Sequence, residues 1–145
     1  MPAHALLAPV VALVVWSLVV WAWLYATRLP AMRKLGVQPQ EGAFARELNS
    51  KMPAHARQVA DNYNHLMEQP TIFYALCLTL HVMGPQPAVA AQLAWTYVGL
   101  RVVHTLVQTT FNRVEVRFAV FFLSSLALIG LAVLAAGQAF ASGPL

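Results

Sequence analysis

The chain reads as an all-α membrane protein, a bundle of four transmembrane helices. Three observations predict this. Of its 145 residues, 59% are hydrophobic and only 10% are charged, whereas a soluble domain carries about 25% charged residues. Four apolar runs each approach the ~20 residues that a helix needs to cross a ~30 Å hydrocarbon core. All nine Lys and Arg residues lie in two stretches, Arg28 to Arg57 and Arg101 to Arg117. Continuous apolar runs of this length mean helices, because only helices and closed barrels satisfy their backbone groups in lipid.

The first helix is expected at about residues 5–27. No Lys or Arg precedes it, and its apolar run is longer than that of a cleaved leader. It closes on Trp21, Trp23, Tyr25 and Arg28, an aromatic belt followed by a cation, as at a membrane interface. The loop after it holds Pro30, Gly36, Pro39 and Gly42, which predicts irregular backbone. Helix-forming residues return from Phe44. Asn49 or Ser50 is the expected cap of a second helix over about 53–83, with Pro53 in its first turn. That helix starts in the cytoplasm, and its apolar part begins near Leu66. Pro70 removes a backbone donor, so a kink is expected there, with the Leu66 carbonyl left free. Gly84-Pro85-Gln86-Pro87 makes a tight turn. The third helix is expected at about 88–110 and the fourth at about 114–140, all within one domain, 1–145.

Charge sets the expected topology. Lys and Arg occupy the first and third loops and are missing from the second turn and both ends. The positive-inside rule then puts both termini on the non-cytoplasmic side. The net charge of +4 and the pI near 9.7 reflect these juxtamembrane residues, not a groove for nucleic acid, so no nucleic-acid partner is expected. Cys77 is the only cysteine, which excludes an intrachain disulfide. It lies in an apolar run and reads as packing.

The functional signal is polar. On the second helix, Arg57, Asp61, Asn64, His65 and Glu68 fall within an arc of roughly 100° at helical spacing. Arg101, His104, Thr105, Gln108 and Asn112 do the same on the third. Arg113, Glu115 and Arg117 follow. Ionisable residues inside spanning segments mark functional sites. The plainer reading is a set of polar contacts joining helices, with Glu68 and Arg101 as an ion pair. Against it, three cations, Arg101, Arg113 and Arg117, face one or two acids. An excess of cations in a low-dielectric cleft calls for an anionic ligand. His65, His104 and Glu68 lack tight ligand spacing, so no metal is expected.

Two motifs carry a resemblance. The first is Asn62-Tyr63-Asn64-His65-Leu66-Met67-Glu68-Gln69-Pro70 with Phe73-Tyr74. The second is Arg101-Val102-Val103-His104-Thr105, then Asn112-Arg113 and Arg117. At these stretches the chain resembles the MAPEG family, the membrane-associated proteins in eicosanoid and glutathione metabolism. The Arg-x-x-His-Thr run, with an arginine sixteen positions later, is similar to the microsomal prostaglandin E synthase branch; the resemblance implies a bacterial-type homologue, expected in the bacterial inner membrane. The resemblance implies a homotrimer of four-helix subunits among membrane lipids. Glutathione, as co-substrate, sits between subunits near the cytoplasmic face, and a lipophilic small molecule enters from the bilayer. The implied glutathione-binding residues are Asn64, His65, Glu68, Arg101, His104, Gln108 and Arg113, with Arg117 as the catalytic residue that stabilises the thiolate. A thiol with pKa near ~8.5 is mostly protonated at neutral pH, and a nearby cation lowers that value.

The chain departs from the family at three places. Asn64 and His65 stand where related enzymes carry an Arg-Asn pair, Gln108 replaces a tyrosine, and Phe118 replaces a hydroxyl residue. Two functions therefore remain in view. One is a glutathione-dependent transferase or peroxidase acting on lipophilic electrophiles. The other is a non-catalytic, lipid-binding or scaffold subunit of a membrane assembly.

Overall fold

A computed structural model describes residues 4–38, 40 and 45–141. The described residues form six helices: α1 (Leu7–Lys34), α2 (Ala45–Lys51), α3 (Ala54–Glu68), α4 (Pro70–Val82), α5 (Ala88–Thr109) and α6 (Val114–Ala141). Among these residues the chain is all-helical. Pro39, Gly42 and Phe44, read above as loop and helix-start signals, lie outside the described residues.

α1 runs past its predicted end and through Pro30 to Lys34. The proline removes a helix hydrogen bond, yet tertiary packing carries the helix on. Ala31 and Met32, beyond the proline, pack with Leu48 and Met52 from α2 and its end and with Ala56 of α3. This small second core docks α2 and the start of α3 on the end of α1. Here the sequence signals for irregular backbone lose to burial of apolar side chains.

The second predicted helix is divided twice. Asn49 and Ser50 do not cap it; both lie inside α2, where Ser50 Oγ donates to the Glu47 carbonyl at 2.6 Å. Pro53 disfavours the helical conformation at Met52, so α2 stops and α3 begins after Pro53, whose carbonyl accepts the Ala56 and Arg57 amides at 3.0 and 3.1 Å. At the other end α3 gives way to α4 at Gln69. Gln69 keeps helical angles, φ −61° and ψ −38°, and Pro70 is the first residue of α4. The proline lacks the backbone donor that would continue the helical ladder there. Arg101 Nη2 donates to the carbonyl of His65 at 3.1 Å, one residue before the carbonyl expected to be free.

α1, the α3–α4 pair, α5 and α6 pack side by side, with α6 against α5 and α4, and α1 against α3, α4 and α5. Leu13 and Val20 of α1, Phe73, Cys77 and Leu80 of α4, Tyr97 of α5 and Leu131 of α6 share the core. The Phe73 and Tyr97 rings stack at 4.6 Å. The small side chains of Ala90 and Ala94 on α5 are buried within this core. α1 and α6 are each long and apolar enough to cross a membrane. Outward-facing Val11, Val15 and Leu18 on α1, Trp95 on α5, and Phe122, Ile129 and Val133 on α6 present an apolar rim.

Candidate functional site

The polar residues gather where α3, α5 and the start of α6 meet. Three of the predicted site residues line one cavity of about 210 Å³: His65 from α3, His104 from α5 and Arg117 from α6, with Val114, Phe118 and Phe121. The His65 and His104 rings lie 5.0 Å apart, and Phe121 lies 5.3 Å from His65. Helical spacing explains the meeting. His104 is one turn beyond Arg101 on α5, and Arg117 and Phe121 are one turn apart on α6.

Arg101 lies behind this cavity and is 1% exposed. Its guanidinium sits 5.9 Å from the Tyr97 ring centroid and 5.8 Å from that of Phe121. Such cation–π contacts partly replace lost hydration. Nη2 is bonded to the His65 carbonyl, while Nε and Nη1 are buried with no partner. The expected ion pair with Glu68 does not form. Glu68 is 71% exposed and takes His65 Nδ1 at 3.2 Å instead. The physical reason is the i,i+3 spacing, which keeps Glu68 beside His65 on the outer side of α3, while Arg101 is sealed in from α5.

The other predicted residues are not in this cavity. Gln108 is buried and accepts a 2.9 Å hydrogen bond from Asn62 Nδ2. Asn64 is exposed on α3, and Arg113 is exposed in the turn before α6. Phe118 is 67% exposed and Phe121 partly buried. Phe121 carries no polar atom, so a pattern of polar residues along the sequence does not reveal its place in the cavity wall.

A second polar chain seals the α3–α4 interruption. Tyr97 Oη donates to Gln69 Oε1 at 3.3 Å, and Gln69 Nε2 donates to Ser125 Oγ at 2.9 Å. Trp16 Nε1 donates to Thr105 Oγ1 at 3.3 Å, tying α1 to the same level of α5. These bonds join helices, and Thr105 of the predicted polar arc is spent on one of them.

A MAPEG family model matches residues 6–137. The chain belongs to the MAPEG family. The match spans all four helical columns of the bundle, and with two apolar helices it makes the chain a membrane protein. The family includes glutathione-dependent transferases and peroxidases as well as non-catalytic members, and its proteins are typically trimeric. No curated protein and no solved structure matches the chain.

Proposed function

We propose that this MAPEG protein is a glutathione-dependent transferase or peroxidase for lipophilic electrophiles, working as a homotrimer with its termini on the non-cytoplasmic side of a bacterial inner membrane. One observation carries the reading. Arg101 is a fully buried cation with two orphaned donors and no carboxylate partner among the described residues. A buried charge is costly unless paired, and an anionic ligand group supplies the missing partner. Arg117 adds a second cation a few residues into α6.

These residues suit a tripeptide thiol with two carboxylates and one ammonium. Arg101 would take a carboxylate bidentately, exposed Glu68 would take the ammonium, and Arg117 would hold the sulfur as thiolate. Asn64, Gln108 and Arg113 fall outside the cavity. Held as thiolate, the sulfur has lost its proton to solvent and can form a C–S bond to an electrophilic carbon as the leaving group departs. Phe118 and Phe121 offer the apolar wall for that partner. The cavity of about 210 Å³ is smaller than the ~300–1,000 Å³ of ligand sites, which supports completion of the site by a neighbouring subunit.

The scaffold reading draws on Asn64 and Gln108. Asn64 brings no charge where relatives carry arginine, and Gln108 is spent on Asn62. One experiment separates the two. Purified protein is assayed for glutathione conjugation to a chlorinated dinitrobenzene and for lipid hydroperoxide reduction, with melting curves with and without glutathione. Activity with a glutathione-dependent rise in Tm is expected. Neither signal above the detergent blank would leave the scaffold reading.

A further inference from the structure

We infer that Asn112 is the positioning residue for Arg117, holding its guanidinium through a neutral acceptor so that the cation's charge stays available to a ligand. The inference deepens the reading of Arg117 given above and rests on it.

Asn112 has φ +43°, the only positive φ at a non-glycine residue among those described. Most L-residues avoid this region, while Asn visits it more readily. Its amide donates to the Val107 carbonyl at 2.8 Å and closes the end of α5, the role of a left-handed residue after a helix. The chain reverses there, and α6 starts at Val114. Helical side chains lean toward the helix N-terminus. Arg117, one turn into α6, therefore reaches back over the reversal, and Nη1 donates to Asn112 Oδ1 at 2.9 Å.

The choice of acceptor is informative. A helix N-terminus repels a cation, so Arg117 needs a fixed acceptor to stay there. Among the described residues no carboxylate takes it. Glu115 in the same first turn is exposed and makes no ion pair with Arg117. Asp61 lines a polar cavity of about 380 Å³ on the other side of Asn112, with Arg46 and Arg57, and is bonded to Asn49 Nδ2. His65 of α3 and His104 of α5 share the pocket with Arg117, with Glu68 and Arg101 beyond them. A carboxylate at position 112 would fix Arg117 equally well and would neutralise it. An amide carbonyl fixes it and leaves the full charge for an anion.

The test compares the full-length wild type with Asn112→Gly and Asn112→Asp in detergent. Glycine keeps the left-handed backbone and deletes only the acceptor; aspartate keeps the acceptor and adds charge. Without any thiol, phenylglyoxal modification of Arg117, mapped by mass spectrometry, should run several-fold faster in Asn112→Gly and no faster in Asn112→Asp. With glutathione, ultraviolet titration of the thiolate should show its apparent pKa raised by about one unit in Asn112→Asp, as expected when a nearby cation is neutralised. A purely structural Asn112 would lower Tm and leave both readouts unchanged. An Arg117 rate in Asn112→Gly equal to wild type overturns the inference, as does an unshifted thiol pKa in Asn112→Asp. Should the glycine variant not fold, the aspartate titration decides. Absence of a thiolate signal in the wild type would overturn the proposed function, and the phenylglyoxal rates would still decide the positioning.

Discussion

Asn62 and Gln108 are joined by a single amide–amide bond: Asn62 Nδ2 donates to Gln108 Oε1 over 2.9 Å between α3 and α5, with both side chains buried. The pair joins the two helices that carry His65 and His104 and so sets their spacing. It also withdraws Gln108 from ligand contact in this subunit. Asn62 Oδ1 remains buried without a partner, so the pair is already short of one hydrogen bond.

Gln108→Leu should therefore destabilise the protein by about 1–3 kcal/mol, since it orphans the remaining polar atoms of Asn62. Adding Asn62→Leu should recover much of that loss, because no buried amide is then unsatisfied. Melting curves of the two single variants and the double variant measure this. A double variant no more stable than Gln108→Leu would count against the pair as helix glue.

Glu68 and Arg101 should behave as separate residues. Glu68→Ala should change Tm little, because an exposed pair with His65 is worth at most about 1 kcal/mol. Arg101→Met should leave Tm unchanged or raise it, since it removes a buried cation with two unpaired donors. The same variant should abolish the glutathione-dependent rise in Tm. A strongly destabilised Arg101→Met protein would mean that the guanidinium has a structural partner.

Arg117→Ala should fold with a modest loss of stability, because the side chain is only partly buried and gives up one hydrogen bond to Asn112. It should lose about 3 kcal/mol of transition-state stabilisation, roughly a hundredfold in kcat, as when one electrostatic donor is removed. Parallel kcat and Tm measurements test the separation. Wild-type kcat in the variant would remove Arg117 from the mechanism.

Topology is open to labelling. Ser50 is exposed on α2, and the native Cys77 is fully buried and silent. A Ser50→Cys protein in intact cells should react with a maleimide only after the membrane is permeabilised. Modification by an impermeant reagent from outside would reverse the proposed orientation.

The chain by itself determined the helical class, the break at Gly84 to Pro87 and the place of His65, His104 and Arg117 among the polar candidates, but not which of those candidates meet. These follow from local quantities: the transfer cost of each side chain, the length of each apolar run and the backbone restrictions of proline and glycine. The family motifs were legible as sequence spacing: Arg101 and His104 stand one turn apart on α5, and Arg117 follows at a set distance along the chain on α6. Tertiary structure alone decided the partners. That Gln108 pairs with Asn62, that Glu68 turns to His65 and leaves Arg101 unpaired, and that Asn112 holds Arg117 all depend on how separate helices are rotated and set in depth. A spacing rule within one helix carries no information on either. Tertiary burial likewise drew α1 through Pro30 to Lys34, because Ala31 and Met32 gain apolar neighbours from a segment about twenty residues away.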